Sequence, residues 1–223
     1  RRVVKMAKIE DVSIKTTIYK YIRNLILTSV LKQGDKIPEA DIAKALNVSK
    51  TPVREAIRRL SQEGLIHSET NKSSTVRTLD EQTIRDLACV RWQHEKLNVP
   101  LLIYNASNKD FDELEEIARE CIAYNDSGDL NMRNKTDAKF HLKLYEIGGN
   151  KVLVELQQRM ELLVQLWQAA SISTTDVKSE YLYHHLELVN ILRRRDHKSA
   201  IDLLYNHYCV SYGIDIESLI PKV

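Results

Sequence analysis

The chain has 223 residues, 43% hydrophobic and 29% charged, with only 6 Gly and 4 Pro. This scarcity of turn-formers excludes a many-stranded sandwich or barrel and points to a mainly α chain of one large or two small domains. The net charge of +2 hides a split: residues 1–79 hold 16 Lys+Arg against 8 Asp+Glu, and residues 80–223 hold 17 against 23. In chain order, residues 1–12 show no clear period and read as a flexible arm. Ile14, Ile18, Ile22, Leu25 and Ile26 then predict an amphipathic helix from Ser13 to about Val30, ended by a Gly34-Asp35 turn. Ala40 to Leu46 is a second helix and Asn47-Val48-Ser49 a short break. A third helix runs to about Glu63, capped by Ser49 or Thr51, with Pro52 in its first turn and Gly64 as its stop. Leu65 to Ser68 and Thr75 to Thr78 read as two short strands with Glu69 to Ser74 as the hairpin tip.

After Leu79 helix follows helix: 81–106, 110–127, 131–147, 151–171, 177–194 and 197–211, six to seven helices with the short tail. The breaks between them are short, which predicts a compact bundle. The expected boundary is at 79/80. Cys89, Cys121 and Cys209 lie far apart and make neither a CxxC metal pair nor a disulfide framework, so a reducing, cytoplasmic setting is expected. No apolar run approaches the roughly 18 residues of a membrane span, and no signal peptide precedes the first helix.

Two short helices around Asn47-Val48-Ser49 followed by a hairpin describe a winged helix-turn-helix, whose second helix enters the major groove. Ser49, Lys50, Thr51 and Arg54 lie at the N-terminal end of that helix, suited to phosphate oxygens and guanine edges. Arg58 and Arg59 lie further along, for the DNA backbone, and Lys72 on the wing tip offers a phosphate contact. Ala43 to Leu65, AKALNVSKTPVREAIRRLSQEGL, closely resembles the DNA-binding signature of GntR-family bacterial transcription regulators. The likeness covers roughly residues 18–79. Lys50 stands where the family usually has Arg, which turns a bidentate contact into a single-point one. Ala40 stands where many relatives carry a polar contact residue. The tip Asn71-Lys72-Ser73-Ser74 lacks the usual glycine, which predicts a reduced role for the wing.

The acidic half holds four potential metal ligands. Asp137 and His141 stand one helical turn apart, while His185 and His207 fall on two later helices. Helix bundles build metal sites from such convergence, and these donors suit zinc, nickel or another first-row ion. Each histidine alone reads more readily as a surface or satisfied core residue than as a ligand. This half resembles the FCD ligand-binding domain of the FadR subfamily of GntR regulators. The resemblance rests on Arg91 with Glu95, Asp137-Ala-Lys-Phe-His141, Gly149-Asn150, His185 with Leu188, and Arg195-Asp196 through Ala200 to His207. It implies one divalent metal per chain in an effector cavity, held by Asp137, His141, His185 and His207, with Arg91 facing the same cavity; the alternative for Arg91 is an ion pair with Glu95. A dication, one carboxylate and three neutral imidazoles leave about one positive charge, which suits a small carboxylate. Trp92, Tyr104, Tyr145, Trp167, Tyr183 and Tyr205 are pocket-lining or core aromatics, and His184 points away from the ligand set.

Together these features predict a cytoplasmic, homodimeric repressor that binds a pseudo-palindromic double-stranded operator and answers to a small organic-acid or sugar-acid effector, with no enzymatic activity and no membrane partner. Two alternatives stay open: a metal sensor in which the ion is the signal, and a metal-dependent hydrolase, against which the chain offers no nucleophile motif or placed general base.

Overall fold

The computed structural model describes residues 2–69, 73–171 and 179–220, with side chains for residues 14–69, 73–170 and 180–220. Two compact units emerge, Arg1–Thr78 and Leu79–Val223. The chain is mainly helical, a helix-turn-helix unit followed by a helical bundle, with little sheet.

In the first unit α1 spans Arg2–Leu27, α2 Glu39–Ala45 and α3 Lys50–Gln62. The expected arm at residues 1–12 is therefore corrected: from Arg2 onward these residues are helix. The segment holds no Gly or Pro, so nothing stops a helix nucleated downstream from running back through its Lys, Met and Ala. At the other end α1 stops three residues short of the expected Val30. Ser29 adopts a left-handed φ of 56°, and the Leu31 amide reaches back to the Leu25 carbonyl at 2.9 Å.

The turn between α2 and α3 depends on Asn47, held at φ 51°, with the Val48 amide bonded to the Ala43 carbonyl. Asn tolerates this conformation better than a branched residue would. Ile18, Ile22, Ile42, Val53, Ile57 and Leu60 then meet in a dry core. β1 (Ile66–His67) and β2 (Thr75–Val76) pair antiparallel, Ile66 with Val76 and His67 with Thr75. A third edge was not foreseen: Lys36 bridges to Thr75, and the Ile37 amide donates to the Ser74 carbonyl.

The second unit follows the expected helix order: α4 Glu81–Asn105, α5 Asn108–Asp126, α6 Leu130–Gly148, α7 Lys151–Ser171, α8 Tyr183–Arg193 and α9 His197–Tyr212. Single 3-10 turns, Ser179–Leu182 and Ile216–Leu219, precede α8 and follow α9. Local chemistry fixes the ends. Asp80, Asp129 and Asp196 accept hydrogen bonds from first-turn amides, and Ser107 with Asp110 forms a full capping box. Between α6 and α7 the glycine pair has two separate jobs. A Cβ at Gly148 would fall on the Asn98 side chain, and Gly149 closes α6 at φ 75°. Arg195 donates to the Ile103 and Ala106 carbonyls, so it binds the C-terminal end of α4. Every buried polar or charged side chain among the described residues lies in this second unit.

Candidate DNA-reading helix and metal centre

On α3 the buried residues Val53, Ala56, Ile57 and Leu60 mark one face. Ser49, Lys50, Thr51, Arg54, Arg58 and Arg59 are all exposed. Ser49 is the N-cap by backbone conformation, φ −72° and ψ 165°, but its side chain makes no capping bond. The expected cap is thus a cap position only. Arg54 Nε donates to Glu39 Oε2 of α2 at 2.9 Å. Arg59 is turned towards α1: its guanidinium lies 4.0 Å over the Tyr19 ring and its Nε donates to Glu63 at 3.0 Å. The Tyr19 hydroxyl donates to the same Glu63 at 2.6 Å, and burial, helped by that bond, pushes Tyr19 up to about 12. At 100° per residue, Arg59 lies well round the helix from Lys50 and Arg54. Ser68 and Ser74 hydroxyls join across the hairpin at 2.8 Å, while Lys72 lies outside the described residues.

In the bundle, Asp137 and His141 on α6, His185 on α8 and His207 on α9 are all at most 3% exposed. One ring nitrogen from each of the three histidines lies within 4.8 Å of the others. The ring centroids stand 5.2 Å (His141–His185), 5.2 Å (His141–His207) and 4.9 Å (His185–His207) apart. Asp137 Oδ1 is 3.6 Å from His185 Nε2, and Gln168 on α7 donates to Asp137 Oδ2 at 3.1 Å.

The outer partners fix which nitrogens are free. His207 Nδ1–H donates to the Tyr181 carbonyl at 3.2 Å, leaving Nε2 with its lone pair. The Tyr208 hydroxyl gives its proton to Glu95 Oε1 at 2.7 Å, so its oxygen accepts from His141 Nδ1 at 3.4 Å. Metal-binding histidines are oriented in this way by carbonyls and carboxyls behind them. Asp137 Oδ1 and both His185 nitrogens are buried with no hydrogen-bond partner. Buried polar atoms are rarely left so, and a neutral-imidazole and carboxylate set fits a divalent cation. Burial, reinforced by the neighbouring imidazoles, holds His185 and His207 well below the usual histidine range, in the neutral form that binds metal.

Arg91 is 2% exposed and is not paired with Glu95. Its Nη2 donates to Glu161 Oε2 at 3.1 Å and its Nη1 to the Tyr212 hydroxyl at 3.2 Å, over the Tyr208 ring. Gln157 donates to the same Glu161 oxygen at 3.0 Å. Burial raises the Glu161 carboxyl although Arg91 opposes the shift. The sequence did not single out Gln157, Glu161 or Gln168: on a helix surface they read as ordinary solvated residues. Tyr208 and Tyr212 carry a signal only in hindsight, one and five residues after His207.

Of the six aromatics, Tyr104 and Tyr183 are exposed, and Trp92 packs on Tyr205 at 5.3 Å. Trp167 stacks on Tyr212 at 4.9 Å, and Tyr145 is buried with its hydroxyl beside the Glu95 carboxyl. His184 is half-buried, its ring 5.9 Å from that of His207.

A helix-turn-helix with a short hairpin, followed by a separate helical bundle with a polar interior, defines a DNA-binding protein with a second, all-helical domain. The family descriptions "Bacterial regulatory proteins, gntR family" and "FCD domain" match residues 14–76 and 86–209, and the chain belongs to the GntR family as an FCD-containing regulator. It is similar to the Nta operon transcriptional regulator of Aminobacter aminovorans, 27% identical over 78% of this chain and 82% of that one. It is also similar to the probable D-xylose utilization operon transcriptional repressor of Paenarthrobacter nicotinovorans, 26% identical over 86% of each. Among solved structures, E. coli McbR/YncC shares the fold with a TM-score of 0.79 at 18% identity, over 93% of this chain and 99% of that one. The protein is a transcription regulator and not an enzyme. Among the described residues no helix is long and apolar enough to cross a membrane.

Proposed function

We propose that the protein is a homodimeric, cytoplasmic repressor whose operator affinity is set by a small hydroxy or sugar acid bound in the interior of the bundle, beside one divalent transition ion, zinc or nickel. The observation that carries this reading is the meeting of His141, His185 and His207, with Asp137 Oδ1 3.6 Å from His185 Nε2, where buried donor atoms lack partners. Asp137, His141, His185 and His207 would hold the ion, which supplies a Lewis-acid position for an oxygen of the effector.

Among the buried charged side chains Arg91 offsets Glu161 and Arg133 offsets Glu95, so Asp137 with a dication leaves about one positive charge, as for the four ligands alone. An incoming carboxylate therefore meets a positive interior, and it competes with Glu161 for Arg91. The unpartnered Gln157 and Gln168 oxygens accept hydrogen bonds from effector hydroxyls, which supports a hydroxy acid over a plain fatty acid. On the DNA side, Ser49, Lys50, Thr51, Arg54 and Arg58 contact the operator, with Lys72 on the wing. Arg59 chiefly holds α1 to α3. An effector that favours one placement of the paired DNA-binding domains changes operator affinity by that difference.

The test selects DNA from a random pool with the metal-loaded protein and measures binding of the selected duplex while hydroxy and sugar acids are added. The expected result is a two-fold symmetric site, steep salt dependence, and release by at least one acid in wild type but not in Arg91→Ala. Operator affinity that follows the metal alone, whatever acid is added, would make the ion itself the signal. Selection that yields no preferred sequence would remove the regulator reading of the DNA-binding helix.

A further inference from the structure

The cluster contains one donor that the Asp and three His do not include. Cys121 on α5 is wholly buried. Its Sγ, one Asp137 carboxylate oxygen and one His185 ring nitrogen all lie within 4.8 Å of one another. The thiol makes a single long hydrogen bond, to the Arg133 carbonyl at 3.5 Å, which a weak S–H donor gives up at little loss. Its two neighbours in the group are the ones with unsatisfied atoms: Asp137 Oδ1 and both nitrogens of His185. Cys89 and Cys209 are only half-buried and belong to neither ligand group.

We propose that Cys121 is a sulfur ligand of the divalent ion, giving the centre a mixed sulfur, nitrogen and oxygen donor set that selects a thiophilic ion such as zinc over manganese. Zinc–sulfur bonds run about 2.3 Å and zinc–nitrogen bonds about 2.0–2.1 Å, so neighbouring ligand atoms stand about 3–4 Å apart whether four or more donors surround the ion, and the spacing of at most 4.8 Å closes by side-chain adjustment. Thiolate is the softest ligand a protein supplies, and hard ions gain little from it. On binding, the sulfur–metal bond forms, the thiol proton leaves to solvent, and no electron is transferred. A serine, a harder and poorer ligand, would keep the Arg133 hydrogen bond but lose this selectivity.

The inference rests on the metal reading above, and the experiment separates the two. X-ray absorption at the zinc edge of the full-length, zinc-loaded wild type is expected to show one sulfur at about 2.3 Å beside the nitrogen and oxygen ligands. The cobalt-loaded protein is expected to show a near-ultraviolet sulfur-to-metal charge-transfer band, lost in Cys121→Ser and kept in Cys89→Ser and Cys209→Ser. Zinc affinity in Cys121→Ser should fall at least about tenfold, with manganese affinity nearly unchanged. One equivalent of zinc with only nitrogen and oxygen ligands overturns the role of Cys121 and leaves the Asp–His centre standing. Failure to bind zinc at all removes both. Should Cys121→Ser not fold, the wild-type absorption spectrum decides alone.

Discussion

The two domains bury different chemistry. Residues 14–78 close around Ile18, Ile22, Val53, Ile57 and Leu60, with no buried polar or charged side chain among the described residues. The bundle buries Arg91, Glu95, Asp137, Glu161 and three histidines beside its apolar core. Apolar burial stabilises, whereas each buried charge is unfavourable unless paired. The first domain therefore keeps its charge on the surface, where it meets a polyanion. The second buries charge at a cost in stability, which the proposed metal and effector would offset.

Several substitutions break or sharpen this contrast. The largest effect is expected from His207→Ala. A ligand that binds only the folded state at a thousandfold above its Kd stabilises by about 4 kcal/mol, and this variant should forfeit that in the bundle. Calorimetry of the full chain checks it: the bundle transition should drop, and chelator should have no further effect. An equal drop in the helix-turn-helix transition would break the contrast.

Next is Arg91→Ala, which leaves Glu161 in the interior without its cation and should destabilise by about 3 kcal/mol, since burial already favours the protonated carboxyl. Replacing both, Arg91→Met with Glu161→Met, should recover most of that in denaturant melts while abolishing acid binding. In the first domain, Arg54→Ala should leave melting unchanged and weaken operator binding by about 1–3 kcal/mol if Arg54 leaves Glu39 to read a base. A surface cap gives the smallest effect. Ser107→Ala should cost about 1 kcal/mol. The Ser107 hydroxyl and amide hold the Asp110 carboxyl below its ordinary range. That contribution is present above the ordinary carboxylate range and is lost as pH falls through the lowered value, so acid melts of Ser107→Ala should show a shallower decline.

Much of the fold was legible because its breaks are chemically marked. Asn47 and Gly64 take positive φ, Gly149 closes α6, and Asp196 caps α9. The start of α1 was misjudged because helix propagation needs no amphipathic period of its own. The Lys36 edge was invisible because one bridged residue has no alternation to read. In the candidate site, Asp137, His141, His185 and His207 were picked out by the family resemblance, because residue type and spacing alone left each histidine readable as a core residue. Glu161 was not, because a helix periodicity separates faces but does not say whether a polar face meets water or a polar interior. The alternative partner that the sequence offered for Arg91, Glu95 one turn away on α4, is the near choice in sequence, whereas Glu161 is the near choice in space.

The most direct test of the central claim is the metal content of the full-length protein purified without chelator, compared with His207→Ala. The account predicts about one equivalent of a transition ion per chain in the wild type and a large loss in the variant. Less than about a tenth of an equivalent, with no rise in melting temperature on adding zinc, nickel or manganese, would contradict it.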